Sequence, residues 1–118
     1  MPISNIYGTF MIIIKEYIDS YGRSPFARWF NKLNTQAALK VNTYITRIEN
    51  GNFSQVKGVG SGVYECRIDW GPGYRVYLGK DGDTLVILLC GGTKQQQQRD
   101  IEEAKKIWED YKKRKQEQ

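Results

Sequence analysis

Hydrophobic and polar residues change period along the chain, and the changes mark out its elements. Residues Thr9 to Ile18 hold Met11, Ile12, Ile13 and Ile14, a β-branched run without alternation, which predicts a strand buried on both faces. Tyr21-Gly22-Arg23 ends that pattern. Ser24-Pro25 reads as a helix start, because a serine hydroxyl accepts from free backbone N–H groups and proline suits the first helical position. Phe26, Trp29, Phe30 and Leu33 follow at helical spacing as one apolar stripe. Asn34-Thr35 predicts the cap of a second helix with the stripe Ala38, Val41, Tyr44, Ile45 and Ile48, ending before Asn50-Gly51. Two short amphipathic helices joined so closely predict a helical hairpin lying on a sheet.

Asn52 to Gly62 carries Gly58, Gly60 and Gly62 around Lys57 and predicts a loop. These glycines lead from a helix into a strand, the reverse of the order a dinucleotide-binding turn requires. Val63 to Trp70 alternates, with Tyr64, Cys66, Ile68 and Trp70 on one face and Glu65, Arg67 and Asp69 on the other. Gly71-Pro72-Gly73 reads as a turn, after which Tyr74, Val76 and Leu78 alternate with Arg75 and Tyr77. Asp81-Gly82 signals a hairpin, and Leu85 to Cys90 is the unbroken apolar run of an inner strand. Thr93 and Gln96 fit a capping box, so a helix with the stripe Ile101, Ala104, Trp108 and Tyr111 is expected to follow. Lys112 to Gln118 reads as a fraying terminus. The order predicts one α+β domain over residues 1–118: an N-terminal strand and helical hairpin packed on an antiparallel sheet, with a three-strand meander and a C-terminal helix.

Register turns the meander into a candidate site. A three-residue Gly71-Pro72-Gly73 loop sets Trp70 opposite Tyr74 and Ile68 opposite Val76. The polar face then pairs Asp69 with Arg75 and Arg67 with Tyr77, leaving Glu65 nearby, and runs on into Val86, Leu88 and Cys90. On a solvated face Arg75 pairs with Asp69 on the surface, and its removal is expected to change stability little. A basic cluster beside apolar side chains on rigid strands suits a phosphate next to a base or sugar. Lys94, just past the inner strand, can reach back toward it. Cys66 and Cys90 fall on opposite faces, which predicts two free thiols.

Composition narrows the chemistry. The chain has 118 residues, one domain's worth, and 18 Lys+Arg against 13 Asp+Glu leave a formal charge of +5, which leans toward a polyanionic partner. Histidine is absent, which removes Ser-His-Asp triads, Cys-His pairs and HExxH metalloproteases. Any acid or base must therefore be Arg, Lys, Tyr, Glu or Asp. The 2 cysteines exclude a disulfide framework. The apolar run Phe10 to Ile14 stops at Lys15-Glu16, far short of a membrane span, and lacks the flanks of a signal peptide. The expectation is a soluble cytoplasmic protein with reduced thiols and no membrane partner.

The stretch Gly62-Val63-Tyr64-Glu65-Cys66-Arg67-Ile68-Asp69-Trp70-Gly71-Pro72-Gly73-Tyr74-Arg75-Val76-Tyr77, followed by Leu88-Leu89-Cys90-Gly91-Gly92-Thr93-Lys94, resembles the RelE/ParE toxin superfamily. It is most similar to the HigB-like, phage-derived "addiction module killer protein" branch. Phe26-Ala27-Arg28-Trp29-Phe30-Asn31-Lys32-Leu33 and Asp100-Ile101 with Ala104 extend the likeness over nearly the whole chain. The resemblance implies a RelE-like fold and the toxin of a type II toxin–antitoxin pair, neutralised by a cognate antitoxin protein encoded beside it. RelE-like and HigB-like members cleave mRNA on the ribosome without metal or cofactor, whereas ParE-like members inhibit DNA gyrase by protein contact.

By motif, the superfamily's sheet arginine carries over to Arg75, with Arg67 and Lys94 as further catalytic candidates. Lys57, Tyr77 and Arg47 are the candidate nucleic-acid contacts, and no metal ligands are expected. Lys57, Lys94, Tyr77 and Glu65 remain open as acid and base. In the gyrase alternative the helical hairpin, including Arg28 and Arg47, is the working surface; a third alternative is a non-catalytic RNA-binding module. Arg67 and Arg75 converging in an open cleft would favour the ribonuclease, and a cleft filled by side chains or the final helix would favour the inhibitor.

Overall fold

A computed structural model describes residues 3–4 and 10–117. Two short strands, β1 (Ile3–Ser4) and β2 (Phe10–Met11), pair antiparallel, and β3 (Ile13–Glu16) then joins the main sheet. Helices α1 (Pro25–Phe30) and α2 (Thr35–Glu49) follow. Four consecutive antiparallel strands come next, β4 (Val56–Gly60), β5 (Val63–Ile68), β6 (Tyr74–Asp81) and β7 (Leu85–Thr93), and a 3₁₀ turn leads into α3 (Gln97–Gln116). The five-stranded sheet has the order β3-β7-β6-β5-β4, with β3 parallel to β7. The sheet is thus mixed rather than wholly antiparallel, because the hairpin of helices between β3 and the meander carries the chain back before β7 forms.

The local signals for α1 and α2 act where the sequence places them, whereas the Thr93 side chain makes no capping bond and only a 3₁₀ turn follows it before α3. Ser24 Oγ accepts from the Ala27 N–H at 3.0 Å with proline next to it, and Asn34 Oδ1 accepts from the Ala37 N–H at 2.9 Å. On one face of the sheet, Phe26, Val41 and Ile48 of the helices pack with Cys66, Ile68, Val76, Leu78, Val86 and Leu88. On the other, Ala104, Ile107 and Trp108 of α3 pack with Tyr17, Val63, Tyr77, Ile87, Leu89 and Cys90. The sheet is therefore covered on both sides, and no helix of the described residues is long and apolar enough to cross a membrane.

Four expectations give way. The run from Thr9, which itself lies outside the described residues, forms an edge strand at Ile13–Glu16 with Ile13, Lys15 and Glu16 exposed, because no further strand pairs with its outer side among the described residues. The glycine-rich segment after α2 is not a loop throughout: Val56 to Gly60 pairs with β5, its Val56 and Val59 each half-buried against one of the two cores. Val86 and Leu88 belong to the α1–α2 side, since a bulge between Tyr77 and Leu78 puts both Leu89 and Cys90 against α3. The C-terminal residues stay helical to Gln116. There Tyr111 Oη donates to Asp81 Oδ2 at 2.6 Å, and the Lys115 ammonium donates to the same carboxylate. Tyr17 Oη and Arg114 Nε both donate to Asp110, and these bonds hold the Asp81 and Asp110 carboxyls below the usual carboxylate range.

A Cβ on Gly79 would stand inside the Trp108 indole, so the close approach of α3 to β6 requires glycine there. Gly79→Ala is expected to cost about 1–3 kcal/mol through overpacking. Gly58→Ala, whose Cβ meets only Tyr64 Cε1 at 3.8 Å, is expected to change stability by less than ~0.5 kcal/mol. Urea denaturation of both variants checks the contrast.

Candidate functional site

Strands β5 and β6 set Arg67 opposite Arg75 and Glu65 opposite Tyr77. This differs by two residues from the expected pairing of Arg67 with Tyr77: the connection Asp69 to Gly73 is longer than a three-residue loop, and a two-residue slip keeps every side chain on its expected face. Pairing with the outer strands extends two rows across the α3 side. One runs Lys57, Glu65, Tyr77, Cys90, and the other runs Arg67, Arg75, Gly92.

That face is enclosed rather than solvated. Glu65 is 0% and Arg75 3% exposed. Arg75 Nε lies 3.6 Å from Glu65 Oε1, an ion pair without a hydrogen bond, and it replaces the expected surface pair with Asp69, which is exposed. The start of α3 closes the site: Gln97 Nε2 donates to Glu65 Oε2 at 2.8 Å, and the Asp100 carboxylate rests on Gly92, where a Cβ would displace it. Burial pushes the Asp100 carboxyl up, and burial with the nearby Glu65 and Asp100 charges pushes the Tyr77 phenol far up. The buried Tyr77 hydroxyl and Asp100 Oδ2 have no hydrogen-bond partner among the described residues.

Of the catalytic candidates, the fold brings Arg67, Arg75 and Lys94 together. The Lys94 N–H donates to the Gly73 carbonyl at 2.8 Å. Lys94 Cβ and Arg75 Nη1 each lie 3.5 Å from the position a Cβ on Gly73 would take. Arg75 is nonetheless a wall of the site and not its open surface. Arg67 is half-buried and Lys94 exposed, and neither takes part in an ion pair among the described residues. Lys57 is exposed on the edge strand in the row of Glu65. Tyr77 is 0% exposed and enclosed, so it is not a surface contact for nucleic acid. Arg47 lies on the opposite side of the sheet, with its guanidinium 4.6 Å from the Tyr44 ring centre, and does not join the cluster. By the open-or-filled criterion, the space around Arg75 is filled.

Gln97 and Asp100 are the members that sequence reasoning missed. They stand on the helical stripe that continues through Ala104 and Trp108, so two polar residues at the head of an apolar stripe were the available signal. Among the described residues no cluster of His, Cys, Asp and Glu could hold a metal ion. What the arrangement offers is two uncompensated cations on rigid backbone beside a neutralised, buried ion pair.

No protein-family model matches the chain. A Haemophilus influenzae protein described as an uncharacterized protein is 51% identical over 81 residues, covering 68% of this chain and 82% of its own length. The chain belongs to that protein's family. The shared family fixes neither chemistry nor partner.

Removing Arg75 strands a buried carboxylate, so the expectation of a small effect is reversed. Arg75→Met is expected to lose about 3–5 kcal/mol, and the double variant with Glu65→Gln to recover part of it. Urea unfolding of both checks this, and equal losses would contradict the pairing. Both thiols are free and buried, and burial pushes Cys66 up to about 11 and Cys90 up to about 12. Native protein at pH 8 is therefore expected to resist iodoacetamide, with both thiols titrating on unfolding without reductant.

Proposed function

We propose that this chain is the toxin of a type II toxin–antitoxin pair with a RelE-like fold, acting as a metal-independent, ribosome-associated mRNA endoribonuclease in the cytoplasm. The likeness of the Gly62–Tyr77 and Leu88–Lys94 stretches to the RelE/ParE superfamily supports the toxin reading. The observation that carries the RNA reading is the pair of guanidiniums in the site: Arg67 and Arg75 face each other across two strands, Glu65 pairs with Arg75, and Asp100, seated on Gly92, forms no ion pair with either among the described residues. Arg67, left without a counter-charge among the described residues, and exposed Lys94 are then the groups that meet a phosphate.

The reaction would be attack of an RNA 2′-hydroxyl on the adjacent phosphate, with the P–O5′ bond breaking to leave a 2′,3′-cyclic phosphate and a 5′-hydroxyl. A base takes the 2′-hydroxyl proton and an acid gives one to the leaving 5′-oxygen. Arg67 and Lys94 stabilise the charge developing on the phosphoryl oxygens, and Arg75 acts as a positioning residue that holds the strand pair and Glu65. Lys94 and Lys57 are the exposed groups able to exchange protons with substrate, because Glu65 and Tyr77 are enclosed. The same enclosure favours a second reading, inhibition of DNA gyrase by protein contact through the helical hairpin, where Arg28 and Arg47 are exposed.

Expression without an antitoxin is expected to arrest growth, and co-expression of the adjacently encoded partner to relieve it. Arg67→Ala is expected to lower RNA cleavage by roughly a hundredfold, the effect of deleting one charge-stabilising donor. Mapping RNA ends after induction reads the outcome. Unaltered ends, with toxicity lost on Arg28→Glu or Arg47→Glu, would select the gyrase reading. Unimpaired growth with abundant soluble protein would remove the toxin reading.

A further inference from the structure

A groove of about 390 Å³ opens on the helical-hairpin side, lined by Gln36, Leu39, Lys40 and Thr43 of α2 and by Trp70. The four α2 residues form one stripe at helical spacing, and Leu39 is 63% exposed there, an apolar side chain with no core to fill. Trp70 is half-buried and held in place. Its ring stacks on Tyr74 with centres 6.3 Å apart and planes 24° apart, and Tyr74 in turn meets the edge of Trp29. We propose that this groove is a nucleobase subsite for single-stranded RNA, a refinement that rests on the RNA-cleavage reading above.

Three observations single out a base. A rigid indole and an apolar leucine side chain offer a stacking platform that loses little freedom on binding. The surrounding edge carries the groups a base edge requires: the Gln36 amide can donate and accept, the Lys40 ammonium donates, and the Thr43 hydroxyl, which already donates to the Leu39 carbonyl at 2.9 Å, can accept. The third is position along the chain. Trp70 stands three residues after Arg67, so their Cα atoms are at most about 11 Å apart. The segment Asp69 to Gly73 joins the groove on one side of the sheet to Arg67, Arg75 and Lys94 on the other. A strand crossing that segment sets a phosphate at the cations and a neighbouring base on Trp70.

The test compares binding of a fluorescein-labelled single-stranded oligoribonucleotide with that of an abasic ribose-phosphate oligomer of equal length. The wild-type chain is expected to prefer the base-bearing oligomer by roughly tenfold or more. Trp70→Ala is expected to bring the ratio of the two affinities near one, and Trp70→Phe to keep most of it. Leu39→Glu, at an exposed position that leaves the fold intact, is expected to abolish the ratio as well. Arg67→Ala weakens both oligomers and spares the ratio. Equal affinity of wild type for the two oligomers, or a Leu39→Glu ratio like that of wild type, would overturn the subsite while the polyanion site stands. Loss of growth arrest in Leu39→Glu with an unchanged ratio would also overturn it and assign the groove to a protein partner. Binding of neither oligomer would also overturn the subsite, while the mapped RNA ends after induction decide the cleavage reading separately.

Discussion

The Trp108 indole lies against the bare backbone of Gly79, where any side chain would stand inside the ring. This contact lets α3 approach the sheet closely enough to seal its second face, and much of the molecule follows from it. With α3 in place, β6 and β7 are covered on both sides and Leu85 to Cys90 can be apolar without interruption. The far end of α3 is fastened by carboxylates, Asp81 to Tyr111 and Lys115, and Asp110 to Tyr17 and Arg114. The near end is fastened by Gln97 and Asp100 over the polar rows of β5 and β6.

That arrangement redistributes charge. In water, two arginines and a glutamate on one sheet face would each be solvated, and their pairing would contribute little. Beneath α3 the desolvation cost forces a pairing, and the single buried glutamate reaches one arginine, leaving the other half-buried, in no ion pair and with its Nε unpartnered among the described residues. The buried pair acts mainly as framework: it fixes the strand register at which Arg67 is presented and gives Gln97 a partner that orients the first turn of α3. A positive, rigid edge beside a neutral interior suits an anion that docks from outside. Access to the interior would require the start of α3 to lift.

The helical-hairpin side has a different physical character. Its core is apolar, and its outer rim carries aromatic rings stacked in series from Trp29 through Tyr74 to Trp70. These rings brace the Asp69 to Gly73 connection, which is the same segment that borders Arg75 and Lys94 on the opposite side. One short connection therefore links the two faces at one end of the sheet. The groove of about 370 Å³ at the other end of α3 is lined by Lys15, Glu16, Leu85 and Ile87 together with Asp81 and Lys115, which pair with each other.

The residues alone determined the helix starts at Ser24 and Asn34, the faces of β5 and β6, the separation of Cys66 from Cys90, and the apolar stripe of α3. Each of these depends on caps, alternation or helical period, which are local properties of a few neighbouring residues. Local pattern did not determine the exposure of Ile13, since a strand's place at the edge depends on which distant strand pairs with it. Nor did it separate a two-residue difference in register, because a slip of two preserves every face. The strand character of Val56 to Gly60 was hidden by glycines whose pairing comes from β5. The burial of Arg75, Glu65 and Tyr77 was decided by tertiary structure alone. The sequence marks that face as polar, and a polar face becomes an interior only when a helix from far along the chain packs over it and removes its water.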